Sequence, residues 1–206
     1  LSNVTEWIDT GCLVLNSILS GSLYGGVPKG RITIFAGETQ CGKTFILNKI
    51  LAKAQEKGMI PIIFDTEVAI EKEGAENVGL DVSNVKYVPV DTVENCRNQI
   101  MAFLDEVEKE PELRGKFIIS IDSLGNLASS KEIADAEANK GAMDMGLRAK
   151  QLKSMMRIIT YKAAVTGTTI ICSNHTYADP GALPPTLVKQ QAGGSGPMYM
   201  ASLLVQ

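Results

Sequence analysis

The sequence predicts an α/β domain built on a mostly parallel, twisted sheet with helices on both faces. Two patterns and one argument from size lead to that class. Short apolar runs alternate with segments of helical periodicity from residue 32 to residue 172, which is how strand–helix–strand units read. Gly37-Glu38-Thr39-Gln40-Cys41-Gly42-Lys43-Thr44 directly follows the run Ile32-Thr33-Ile34-Phe35-Ala36, and such a turn between strand and helix belongs to parallel sheets. A chain of 206 residues suits one medium-to-large domain with room for a real core.

The elements follow in order. Residues 32–36 form the first expected strand, and residues 43–57 a helix ended by Gly58. Residues 59–64 form a second strand, with Pro61 near its beginning, where a strand tolerates proline. Residues 85–90 are a third, and residues 93–109 an amphipathic helix stopped before Pro111. Residues 117–121 are a fourth, a long helix covers about 144–165, and residues 168–172 are a fifth. Residues 128–146 and 176–197 resist the pattern and read as long loops. Loops of that length inside a compact domain tend to carry function. Both follow strand ends, which puts them at the carboxyl edge where ligands bind.

Composition narrows the class further. Apolar residues make up 45% and charged residues 21% of the chain, ordinary values for a soluble globular protein. No apolar stretch reaches the ~18 residues of a membrane span, and no basic-then-apolar leader opens the chain. The first residue is Leu1, not Met, so a fragment is expected. Cys12, Cys41, Cys96 and Cys172 have no metal-like spacing and point to free thiols in a reducing, cytoplasmic setting. A net charge of −3 argues against a uniformly basic coat, yet a local basic surface suffices to hold nucleic acid.

The spacing G-x-x-x-x-G-K-T implies a nucleoside-triphosphate site. Backbone N–H groups of Gly37, Glu38, Thr39, Gln40, Cys41 and Gly42 would wrap an anion, with the positive end of the next helix behind them. Gly37 and Gly42 are expected to adopt backbone conformations closed to other residues. Lys43 would reach the β- and γ-phosphates, and the Thr44 hydroxyl would ligate Mg²⁺. Cys41 reads either as a thiol made more acidic by the helix N-terminus or as a small loop filler.

Ile118-Ile119-Ser120-Ile121-Asp122 is an apolar strand ending in a carboxylate, the expected second Mg²⁺ anchor. Phe64-Asp65-Thr66-Glu67 offers two carboxylates that could polarise an attacking water, and spacing alone does not choose between Asp65 and Glu67. His175, the only histidine, lies just past the expected fifth strand. It reads as structural or as a γ-phosphate sensor.

Several segments now join the phosphate loop: Asp9-Thr10-Gly11-Cys12-Leu13-Val14-Leu15-Asn16, Phe64-Asp65-Thr66-Glu67, Ile121-Asp122-Ser123-Leu124-Gly125-Asn126-Leu127-Ala128-Ser129, Ser173-Asn174-His175-Thr176-Tyr177 and Gly193-Gly194-Ser195-Gly196-Pro197-Met198-Tyr199. Together they resemble the core of RecA-type recombinases, and specifically the UvsX recombinases of T-even-like phages. The resemblance spans essentially all 206 residues. It implies a RecA-like ATPase core over 1–206, without the N-terminal oligomerisation segment or the later C-terminal strands of that family. It favours Glu67 over Asp65 as the catalytic glutamate and His175 as the sensor. It makes ATP and Mg²⁺ the expected cofactors.

The implied function is an ATP-dependent recombinase that forms helical filaments on single-stranded DNA and pairs it with homologous duplex. Its hydrolysis would be stimulated by DNA, with mediator and single-strand-binding proteins as possible partners in the cytoplasm, the host's if phage-encoded. The resemblance assigns residues 128–146 and 176–196 as DNA-binding loops, bringing in Lys131, Lys140, Lys189, Gly193, Gly194, Ser195 and Gly196. Tyr199 stands where the family has an aromatic residue linked to filament state, and Gly74 where relatives stack an aromatic on adenine. Arg148, Lys150, Lys153 and Arg157, further charges that could meet DNA, with Arg148 named as a DNA-binding residue, fall on the long helix, the last three near one face. A merely solvated face is the competing reading for them. A hexameric helicase, a repair- or clock-type motor and a weakly hydrolysing paralogue are the alternative functions.

Overall fold

The structure is a computed structural model that describes residues 4–68, 71–138, 145–178, 189–192, 197 and 200–206. Its strands are β1 (Trp7–Ile8), β2 (Val27–Pro28), β3 (Ile32–Gly37), β4 (Ile60–Asp65), β5 (Lys86–Pro89), β6 (Phe117–Asp122), β7 (Thr169–Ala178), β8 (Lys189–Gln191) and β9 (Leu203–Val205). Its helices are α1 (Leu13–Ser20), α2 (Lys43–Glu56), α3 (Lys72–Asn77), α4 (Val93–Lys109), α5 (Ser130–Glu137) and α6 (Met145–Thr166). The main sheet runs β5-β4-β6-β7-β3-β9, and every neighbouring pair on that path is parallel. β8 adds antiparallel to the far end of β7, and β1 with β2 forms a separate small ribbon.

Strand residues alternate between two cores, as the period of two in a pleated strand requires. Ile32, Ile34, Ile62, Phe64, Ile119, Ile121, Ile170 and Cys172 face α4 and α6, meeting Ile100, Leu104, Met155 and Ile159. Phe35, Ile63, Ile118 and Ile171 face the other way and meet Leu47, Ile50 and Leu51 of α2. Helices therefore cover both faces of a parallel sheet, the class the alternating pattern predicted. Among the described residues no helix is long and apolar enough to cross a membrane.

Several elements depart from the sequence reading, among them β8 inside the expected loop 176–197 and the unforeseen β1, β2, α1 and α3. Residues 128–146 are not loop throughout: α5 occupies part of them, opened by a reciprocal capping box in which Glu132 N donates to Ser129 Oγ at 3.1 Å and Ser129 N to Glu132 Oε2 at 3.4 Å. That S-x-x-E signal was present in the sequence. β7 continues past Cys172 because β3 pairs with it as far as His175 and β8 takes over from Thr176, so His175 lies inside a strand and not beyond it. β9 is an additional strand, formed when Leu203, Leu204 and Val205 pair with Thr33, Ile34 and Phe35.

Two consequences can be measured. Leu104 is fully buried, so Leu104→Ala should cost about 2–5 kcal/mol, read as a lower urea midpoint. Burial pushes the Cys96 thiol up to about 12 and raises that of Cys172 as well, whereas Cys12 and Cys41 are exposed. Because the thiolate is the reactive form, alkylation of the native protein should mark Cys12 and Cys41 and spare the other two until denaturant is added, as mass spectrometry would record.

Candidate nucleotide and catalytic site

Sheet register assembles the site. Gly37 pairs with His175, Asp65 with Asp122, and Ile121 with Cys172, so the carboxyl ends of β3, β6 and β4 lie level with His175 of β7. On the α2 face the strands turn from large apolar residues to glycine or polar ones as they reach that edge: Phe35 is followed by Gly37, Ile63 by Asp65, Ile118 by Ser120 and Asp122, and Ile171 by Ser173 and His175. α2 begins at the same edge, immediately after residues 37–42.

Within that loop the two glycines serve different ends. Gly42 has φ 87°, a left-handed conformation that favours glycine. Gly37 does not have a positive φ. Its constraint is space, since a Cβ there would lie 2.6 Å from Cys41 Sγ. Gln40 takes φ 62° despite its side chain. The Lys43 Nζ, at the head of α2, donates to the carbonyls of Glu38 at 2.6 Å and Gly37 at 3.1 Å and lies 3.9 Å from Cys41 Sγ. These contacts draw the ammonium across the mouth of the loop.

Thr44 Oγ1 donates to Asp122 Oδ2 at 2.6 Å, joining α2 to the end of β6. Asp122 is buried, and its other oxygen accepts from Ser173 Oγ. A buried carboxylate is costly unless its oxygens are satisfied, and here a hydroxyl from each side does so. This donor set, one hydroxyl and one carboxylate at a helix N-terminus, is hard oxygen chemistry suited to Mg²⁺. The close approach of Cys41 Sγ at Gly37 leaves that position of the loop to backbone alone. The residues present therefore fit a Mg²⁺-nucleotide.

Asp65 and Glu67 differ sharply. Asp65 is buried, with Oδ1 accepting from the N–H groups of Glu67 and Val68, both at 2.9 Å, and Oδ2 from the Tyr87 hydroxyl at 2.9 Å. Burial and the Asp65 carboxylate together push the Tyr87 phenol up. Asp65 is thus bound up in shaping the turn. Glu67 emerges from that turn half-exposed. Its Oε1 accepts from Asn126 Nδ2 at 2.7 Å and Ser123 Oγ at 3.3 Å, and lies 3.2 Å from His175 Nε2. Thr66 locks the same turn to the end of β6, its N–H donating to Asp122 O at 2.8 Å and its hydroxyl accepting from Ser123 N at 2.8 Å.

The expected DNA contacts are placed unevenly. Lys131 is exposed on α5, and Lys189 pairs through its backbone in β8. Lys140, Gly193, Gly194, Ser195, Gly196 and Tyr199 lie outside the described residues. Arg148 is turned inward: its Nε donates to Leu127 O at 2.6 Å and its Nη2 to Gly125 O. Lys150, Lys153 and Arg157 are exposed along α6, followed one turn later by Tyr161, 69% exposed. α6 contains no acidic residue, and its fifth cation, Lys162, is engaged by Asp105 at 2.7 Å and by Glu108. Gly74 lies within α3.

Sequence reasoning gave no role to Ser123, Asn126 or Ser173, which hold the two carboxylates. The only signal for them was their position one to four residues after, or at the level of, a strand-end carboxylate.

Comparison with known proteins agrees with this architecture. The Recombination and repair protein of Enterobacteria phage T4 is 33% identical over 201 residues, which are 97% of this chain and 49% of that protein. Protein RecA of a Nitratiruptor species is 32% identical over 200 residues, covering 97% and 54%. Protein RecA of Campylobacter fetus subsp. fetus is 30% identical over 196 residues, covering 92% and 54%. The chain thus spans about half the length of the curated relatives it matches. The profile of the RecA N-terminal domain matches residues 2–199, taking in the glycine-rich loop, both carboxylate-bearing strand ends and β7, and by that match the chain belongs to the RecA N-terminal domain family.

Proposed function

We propose that residues 1–206 are the ATPase core of a DNA recombinase that assembles on single-stranded DNA and, using ATP, promotes homologous pairing and strand exchange. The observation that supports this most strongly is the Thr44–Asp122 contact of 2.6 Å, which joins the phosphate loop to the sheet edge that carries Glu67 and His175. Bound there, Mg²⁺-ATP would supply the transferable phosphoryl group and neutralise its charge, with Thr44 and Asp122 on the metal and the loop N–H groups and Lys43 on the phosphates. Lys43 would then exchange the carbonyls of Gly37 and Glu38 for phosphate oxygens. Glu67 orients the attacking water and accepts its proton. His175 meets Glu67 from β7, one residue before β8 pairs with that strand, and it carries the state of the site toward the second loop.

DNA binding is assigned to the two loops and also to Lys150, Lys153 and Arg157. Among the described residues these three cations have no ion-pair partner, and they share a face at helical spacing with an exposed aromatic ring. That combination suits a flexible polyanion with stackable bases.

The reading is tested by hydrolysis and filament assays with and without single-stranded DNA. Lys43→Ala should abolish ATP-dependent DNA binding, and normal strand exchange by that variant would sink the proposal. Glu67→Gln should slow hydrolysis by about 10²- to 10⁴-fold while nucleotide binding persists. Closed rings in electron micrographs would point to a helicase-like motor, and hydrolysis indifferent to DNA to a regulatory paralogue. DNA affinity should fall steeply with salt, and Lys153→Ala or Arg157→Ala should each reduce the log–log slope by about 0.7.

A further inference from the structure

Arg148 and Asn126 form a chain of contacts that ends on the proposed water-orienting carboxylate. The 3-10 turn Leu124–Asn126 follows β6, and Arg148, in the first turns of α6, bonds the carbonyls on both sides of Asn126. Nε reaches Leu127 O at 2.6 Å, and Nη2 reaches Gly125 O. A planar guanidinium can hold two acceptors at once in fixed geometry, which a lysine ammonium does not reproduce. From the other side the turn is pressed against β7 and the residue after β8. A Cβ on Gly125 would lie 3.1 Å from both His175 Cδ2 and Ala192 Cβ. Caught between these, Asn126 delivers its amide to Glu67 Oε1 at 2.7 Å. With Ser123 and His175 on the same atom, Oε1 is fully occupied, and Oε2 is the oxygen left, among the described residues, to meet a water.

We propose that Asn126 and Arg148 are positioning residues for Glu67: Arg148 sets the turn, Asn126 sets the carboxylate, and together they aim Oε2 at the attacking water. This rests on Glu67 being the water-orienting group. It gives Arg148 a different task from that of Lys150, Lys153 and Arg157, whose side chains face solvent. It also connects the start of α6, where the first DNA loop leads in, to the chemistry without passing through His175. Movement of α6 on DNA binding would thus change the aim of Glu67.

The test is ATP hydrolysis by the full chain, with saturating single-stranded DNA, as a function of nucleotide concentration and pH. Asn126→Ala and Arg148→Gln should lower kcat by roughly 10- to 100-fold with little change in KM, and Arg148→Lys should restore little. Asn126→Asp keeps the shape of the side chain but sets a second carboxylate beside Glu67. Like charges that close share a proton, so the acidic limb of the kcat profile should move up by about a unit, a shift that a merely structural role would not produce. Arg148→Gln should leave the salt slope of DNA binding unchanged, whereas loss of a phosphate contact would lower it by about 0.7. Urea midpoints close to that of the parent would show the variants to be folded. The proposal is overturned if the variants keep kcat and pH profile while Glu67→Gln is inactive, or if Arg148→Gln changes only DNA affinity. If Glu67→Gln itself turns over normally, the underlying assignment falls and the proposal with it.

Discussion

Parallel pairing in register across β4, β6, β7 and β3 is the constraint on which everything else in this molecule depends. Because successive residues in a strand point to opposite faces, a slip of one position would send Asp122 toward α4 and α6, away from Thr44. The same slip in β7 would remove Ser173 from Asp122 and His175 from Glu67. Two dry cores, one on each face, hold the register by burying alternate isoleucines. The hydrophobic effect does not recognise nucleotide, yet it decides which carboxylate stands beside which hydroxyl.

At the polar edge above those cores the buried carboxylates are satisfied, whereas His175 Nδ1, Thr176 Oγ1 and Gln191 Nε2 are buried without a hydrogen-bond partner among the described residues. Asp65 and Asp122 are both buried and both have donors on each oxygen, so their charges are tolerable where a bare carboxylate would not be. Glu67 is treated differently, with three neighbours crowded on one oxygen. That asymmetry separates groups that shape the turn from a group able to act. α6 shows a similar partition among its cations, one paired to α4, one turned onto the 124–127 turn and three left to solvent.

What could be read from the chain alone follows the range of the forces involved. β3, α2, α4 and β6 were legible because their signals are local: apolar runs, a helix stopped ahead of Pro111, a glycine-rich loop at fixed spacing. Thr44 was legible as the last position of the loop motif and Asp122 as a carboxylate at a strand end, although their contact is a tertiary fact. α5 had a local signal too, the Ser129–Glu132 capping box, but it was masked by weak periodicity in the helix behind it. The extension of β7 and the existence of β9 depend on partners far away in sequence, and short apolar triplets such as residues 203–205 do not announce themselves. The inward turn of Arg148 was beyond reach for the same reason. Its acceptors are backbone carbonyls more than twenty residues away, and no side-chain pattern marks a carbonyl.

The strand order has a consequence for how the protein comes into being. β3 carries the phosphate loop and is the earliest strand of the main sheet, yet its two neighbours are β7 and β9, and Gly30 at its foot bonds Thr169 across a separation of 139 residues. Closing a loop of that length precedes any reward from pairing. On the ribosome, β4, β5 and β6 can come together while β3 still waits with an apolar edge uncovered. The earliest strand of the main sheet is thus among the last to be secured, which makes the growing chain vulnerable to misassembly at β3 until β7 and then β9 have emerged.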